Sequence, residues 1–223
     1  YDYMISTIEY ADKNYAKIKQ LRKENLQNYL PGQKYTLLWK LDPDKISSIP
    51  FLGYEGDYKP SEISGKPRLF YDRSKPFNKS IPYHKEYKPS LEVIIPEAYI
   101  VPKAWWPVIE LLKINNITMT PLEKDTEFEV ESYRINDYKT SSSAYEGHYP
   151  HHTVNVIPTK KKVLFKKGDF LIKTQQPGVK YLLETLEPQG NDSYFAWNFF
   201  DSVLQQKEYF SAYVFEDLAK QLL

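Results

Sequence analysis

Cysteine is absent from all 223 residues, and histidine, methionine and glycine are scarce, at four, two and eight. Without thiols there is no disulfide framework, no cysteine-ligated zinc finger and no thiol nucleophile, and the redox compartment is left open. The eight glycines are scattered singly, so no loop has the glycine density that lets backbone amides cradle a phosphate, either as a P-loop or as a dinucleotide fingerprint. No serine sits in a Gly-x-Ser-x-Gly elbow, and a Ser-His-Asp triad would have to draw on His84, His148, His151 or His152. Charge of one sign is missing as well. Thirty Lys and Arg oppose 29 Asp and Glu, and a net charge of +1 gives no global field to attract nucleic acid or an anionic membrane surface. No apolar run approaches the ~18 residues of a membrane-spanning helix. What is abundant is aromatic surface: 20 Tyr, 11 Phe and 4 Trp, within a composition otherwise ordinary for a globular chain.

The chain opens on Tyr1 in what already reads as the middle of a helix, which is the expectation for a fragment of a longer polypeptide. Met4, Ile8, Ala11, Tyr15 and Ile18 recur at helical spacing and form one apolar face, with Asp12, Lys13, Lys17, Lys19 and Arg22 elsewhere, so this helix needs a partner. Pro31-Gly32 stops it, and a boundary is expected near Asn28 to Gln33. Residues 1–30 are thus set apart from a domain over 34–223.

From Lys34 to Glu97 short β-type runs dominate, Tyr35 to Trp39 and Ser90 to Ile95 among them. The proline-interrupted stretch Asp72 to Pro89 is expected to be an extended, tyrosine-studded loop. Next comes a strand–helix–strand unit, with Ala98 to Val101 as its first strand and a helix over about Ala104 to Ile114, where Pro107 suits a helix start. The alternation over Phe128 to Ile135 marks a half-buried strand. Val154, Val156, Val163 to Phe165 and Phe170 to Ile172 continue as strands, with Lys160-Lys161-Lys162 and Lys167-Gly168-Asp169 as turns. A helix over Val179 to Leu186 ends at Pro188. A second, capped by Asp192 or Ser193, should carry Phe195, Phe199, Val203 and Leu204 as its buried stripe through Gln206, and a third covers Phe215 to Leu222. The expected class is α+β: an N-terminal helix, then a mainly antiparallel, sandwich-like sheet covered by helices, with a helical C-terminal third.

Few residues carry catalytic chemistry. Glu146, His148, His151 and His152 could supply three or four donors to a tetrahedral zinc ion, but their spacing matches neither His-x-x-Glu nor His-Glu-x-x-His. The simpler reading is a polar turn entering a strand from Thr153 to Ile157. Two carboxylate pairs, Glu184 with Glu187 and Asp192 with Asp201, could do acid and base work, although such pairs are common as helix caps and on solvated faces. Trp105 and Trp106, and the tyrosine-rich loops, could stack on a sugar or peptide ligand, while Trp side chains more often anchor a core.

The C-terminal third is recognisable. The run Tyr181-Leu182-Leu183-Glu184-Thr185-Leu186-Glu187-Pro188-Gln189, then Asp192-Ser193-Tyr194-Phe195-Ala196-Trp197-Asn198-Phe199-Phe200-Asp201, then Leu204-Gln205-Gln206-Lys207-Glu208 and Tyr213 to Asp217, resembles the C-terminal region of bacterial M14-family zinc carboxypeptidases. Ala98 to Pro102 with Trp105 or Trp106, and Tyr145 to Tyr149 before Val154 to Val156, agree with it. The resemblance implies that Tyr1 to Gln27 is the helix following a catalytic core. The family's zinc ligands, glutamate base and substrate-binding arginine match no position here, so no catalytic or metal-binding residue is carried over. It further implies a non-catalytic accessory domain of a secreted or periplasmic peptidase, with no cofactor of its own. Zinc and the peptide substrate would belong to an upstream catalytic domain of the same chain, and neither nucleic acid nor a membrane span would be involved.

Overall fold

In the computed structural model, which describes residues 1–26, 28–205 and 211–222, helices and small antiparallel sheets alternate in an α+β arrangement. Two compact units emerge, one formed by Tyr1–Leu37 with Val93–Leu223 and the other by Leu38–Glu92.

In the first unit the chain begins with α1 (Asp2–Lys13) and α2 (Tyr15–Leu26), interrupted at Asn14 where one unbroken helix was expected. Neither helix buries a residue. The stop at Pro31-Gly32 is as the sequence indicates: Gly32 takes a φ of 84°, which suits a residue without Cβ. β5 (Ala98–Val101), β9 (Phe170–Lys173) and β6 (Thr120–Pro121) form a three-stranded sheet in the order β5-β9-β6. Its register pairs Tyr99 with Ile172 and Val101 with Phe170, so these four residues share one face. That face meets α3 (Trp106–Ile114) and α4 (Val179–Leu186), where Val108, Leu112, Ile172 and Leu182 are fully buried. Full burial of such a side chain contributes ~1.5–3 kcal/mol. The opposite face carries Ala98, Ile100, Leu171 and Lys173.

A long hairpin, β7 (Thr126–Thr140) and β8 (His151–Phe165), completes this unit. Lys160-Lys161-Lys162 is mid-strand in β8 and not a turn: these residues stand across the ladder from Glu131, Val130 and Glu129, and Lys162 Nζ lies 3.7 Å from Glu127 Oε1. The Lys167-Gly168-Asp169 turn forms as expected, with Gly168 at φ 88°.

The C-terminal third is not predominantly helical, since β8 and β9 occupy much of it. The helix expected from Asp192 or Ser193 does not form. Residues 194–200 are hydrogen-bonded turns, in which Ser193 Oγ accepts from the Ala196 amide at 3.0 Å and Asn198 adopts φ 67°, before a 3-10 turn over Asp201–Leu204. Gln206, the expected end of that helix, lies outside the described residues. The last helix, α5 (Ala212–Leu222), starts slightly earlier than expected and buries none of its described residues.

The second unit is dominated by β2 (Ser47–Pro60) paired with β3 (Pro67–Tyr83). β1 (Lys34–Leu41) and β4 (Tyr87–Ile94) form a two-stranded ladder where the chain passes between units. The expected loop from Asp72 to Pro89 is largely strand. Each strand of a two-stranded ribbon has an outer edge, so a proline need not interrupt the ladder, and Pro50, Pro76 and Pro82 sit within it opposite Ser80, Tyr54 and Ser48.

Candidate functional site

Histidines 148, 151 and 152 and Glu146 lie at the closed end of the β7–β8 hairpin, in or beside the loop that joins its strands, but they do not assemble. His151 is buried. Its Nδ1 lies 2.9 Å from Thr140 Oγ1 and its Nε2 lies 3.0 Å from Asp201 Oδ1, while its ring packs on Tyr138 and Phe195. A carboxylate cannot donate, so Nε2 carries the proton toward Asp201 and Nδ1 accepts from the Thr140 hydroxyl. Asn198 Nδ2, 3.2 Å from the same Nε2, donates to the Tyr149 carbonyl instead. Both ring nitrogens are thus committed inside the fold. His148 packs against Trp197 and Phe199, His152 approaches Thr153 Oγ1 at 3.1 Å, and Glu146 sits in the turn at φ 48°. Among the described residues no group of three or more His, Asp or Glu side chains is placed to hold a metal ion.

Trp105 and Trp106 diverge. Trp105 is half-buried, edge-to-face with Phe200 at 4.8 Å between centroids, as a core anchor is. Trp106 is 67% exposed.

The carboxylate pairs are separated too, each member having its own partner. Glu184 accepts from the Tyr35 phenol, Asp192 faces Trp197 Nε1 at 3.4 Å, and Asp201 holds His151. Glu187 is the exception in its surroundings: only 3% exposed, it accepts from the Tyr99 phenol and is hydrogen-bonded by Tyr133. Burial pushes its pKa above the usual carboxylate value, the two phenols partly offset this, and the charge of Glu131 adds to the rise. The same burial and the nearby Glu187 carboxylate raise the pKa of both phenols.

Glu187 lines a cleft of about 990 Å³ within the first unit. One wall is the face of β5 and β9 that carries Ala98, Ile100, Leu171 and Lys173, the side away from α3 and α4. The other is the β7–β8 hairpin. β8 contributes the alternate residues Lys161, Val163 and Phe165, which is one face of a strand, whereas β7 contributes every residue from Phe128 to Tyr133. Consecutive strand residues point to opposite faces, so a strand that lines a cavity without skipping presents its edge. Sequence reading noticed Glu187 only as half of a carboxylate pair, because its phenol partners lie 88 and 54 positions upstream (187 − 99 and 187 − 133) and carry no local signal. The alternation over Phe128 to Ile135, with Glu129 and Glu131 in it, was visible, but the openness of that strand's edge is a property of topology.

Comparisons of the chain with known protein families, characterised proteins and solved structures return no match.

Proposed function

We propose that the chain is the non-catalytic C-terminal accessory domain of an M14-type zinc carboxypeptidase, secreted or periplasmic, whose zinc and catalytic groups belong to an upstream domain. The observation that carries this reading is the long run from Tyr181 to Asp201, whose resemblance to the C-terminal region of such enzymes is the most specific signal in the sequence. Its polar residues are supporting evidence: Glu184, Glu187, Ser193 and Asp201 are spent on internal hydrogen bonds, which is a structural reason for such a sequence to exist without chemistry. The domain would shape or restrict the peptide-binding cleft of the enzyme, or hold it on a partner.

A second reading, a stand-alone module that binds glycan or peptide on aromatic rings, draws support from the exposure of Trp106, Trp39, Tyr58 and Tyr71. Zinc hydrolysis by His148, His151 and His152 is disfavoured, since both nitrogens of His151 already have partners.

The test is the intact mass of the native polypeptide carrying this sequence, with its metal content. A chain larger by a domain of roughly 100 residues or more, with stoichiometric zinc, supports the accessory reading. A native mass near 26.4 kDa overturns it.

A further inference from the structure

The cleft beside Glu187 is bordered by two strands that each lack a neighbour on one side among the described residues. β5 ends its sheet, in the order β5-β9-β6, and among those residues β7 pairs only with β8. β7 lines the cleft with consecutive residues, Phe128 to Tyr133, and so turns an edge of amide and carbonyl groups toward it, opposite the wall made by a face of β5 and by Pro96 and Glu97 just before that strand. At about 990 Å³ the cleft is at the upper end of the range for ligand sites. The chemistry along β7 alternates. Phe128 and Val130 lie on one face, Glu129 and Glu131 on the other, and neither glutamate forms an ion pair among the described residues. Glu97 adds a third exposed carboxylate to the lining. β8 already answers this pattern on β7's other side, with Lys160 and Lys162 across from Glu131 and Glu129.

We propose that the cleft receives an extended basic polypeptide segment of another protein, added as a strand along the open edge of β7 and facing β5. The added strand has the alternation that β8 shows: Lys or Arg beside Glu129 and Glu131, and β-branched apolar residues beside Phe128, Val130 and Phe165. Main-chain hydrogen bonds supply affinity and the glutamate row supplies selectivity, which is the logic of strand addition. The inference rests on this chain's own geometry and holds with or without an upstream domain.

The probe is a capped, fluorescein-labelled peptide of alternating lysine and valine, roughly eight residues long to match a strand, titrated against the 223-residue chain by fluorescence anisotropy. It is expected to bind at least about tenfold tighter than the glutamate–valine counterpart, as opposed charges require. N-methylation of either alternate set of backbone amides should weaken it, most for the set that faces β7. The double substitution Glu129→Lys with Glu131→Lys, at two exposed positions, should reverse the preference between the two peptides. Hydrogen exchange with bound peptide should slow in 96–100 and 128–133. Failure to bind below about 1 mM, the weak end of recognition, overturns the proposal. So do equal binding of both peptides, indifference to N-methylation at both sets, protection confined to β2 and β3, or self-association of the chain that competes with the peptide. Should the double variant lose its thermal transition, the peptide-charge, N-methyl and exchange results on the unmodified chain decide the question.

Discussion

Two glycines bracket α4, and a methyl group would meet a different neighbour at each. At Gly190 a Cβ would lie 2.7 Å from the Glu184 carbonyl oxygen and 3.2 Å from that of Glu187, both backbone atoms at the end of a buried helix. At Gly178 it would meet Ile117 Cδ1 at 2.2 Å, the tip of a side chain that can rotate. Gly190→Ala should therefore cost about 2–3 kcal/mol and Gly178→Ala about 1 kcal/mol, within the range for overpacking, and urea denaturation of the two variants checks the order. Glu187 gives the second residue-scale expectation. Its folded-state pKa is raised, so above the ordinary carboxylate value the native protein holds this proton more tightly than the unfolded chain does, and stability falls as pH rises through the raised value. Glu187→Gln removes that titration. As pH rises from the ordinary carboxylate value, about 4, the variant's urea midpoint should gain relative to the unmodified protein, and parallel profiles would sink the assignment. None of this was legible beforehand, because burial of Glu187 depends on Tyr99 and Tyr133 from two distant strands. Ser193 as acceptor for a nearby backbone amide, by contrast, was legible, because its partner is only three residues away, although the helix it was expected to start does not form.

Elements were legible where the pattern was local and one face was buried. The apolar stripe of Val179, Leu182 and Leu183 marks α4 because all three enter the core. Reading failed where pairing decided the outcome. Lys160 to Lys162 looks like a polar turn until Glu129 and Glu131 stand across the ladder, and prolines look like breaks until the strand proves to have an open edge. The β2–β3 ribbon is the largest such case. Phe51, Leu52, Tyr54, Tyr58, Leu69 and Tyr71 are all exposed on it, with Phe77 close over Gly53 as cross-strand cover. A two-stranded ribbon is marginal by itself, and the buried core of the first unit contains no residue from 47–83. Replacing 47–83 with an Asn-Gly turn, across the ends that Ser47 and Tyr83 bring together, should therefore leave the main unfolding transition within about 3 °C, since surface changes away from the core shift stability by ~0.5 kcal/mol or less. A loss of more than 10 °C, by calorimetry, on the order of 2 kcal/mol, would mean that the ribbon supports the core after all.

At the scale of the whole molecule the unanswered demand is apolar cover. α1 and α2 expose Met4, Ile8, Tyr15 and Ile18, the same stripe whose spacing called for a partner, and neither helix buries a residue. Helices of 12 residues are marginal in water unless an apolar face is packed. Under the accessory-domain proposal the cover is the upstream domain, and this gives a measurement on the native polypeptide. In the 223-residue chain the amides of 2–26 should exchange within seconds while those near Ile172 and Leu182 are slow, because exchange follows local burial. Removing 1–26 should leave the urea midpoint of the remainder unchanged. In the longer native polypeptide the same amides should exchange at least about tenfold more slowly, as packing against a neighbour requires. If they are already slow in the 223-residue chain and the protection scales with concentration, the cover is a second copy of the chain. The helices would then cease to support an upstream domain, and the resemblance of Tyr181 to Asp201 would have to carry that proposal unaided.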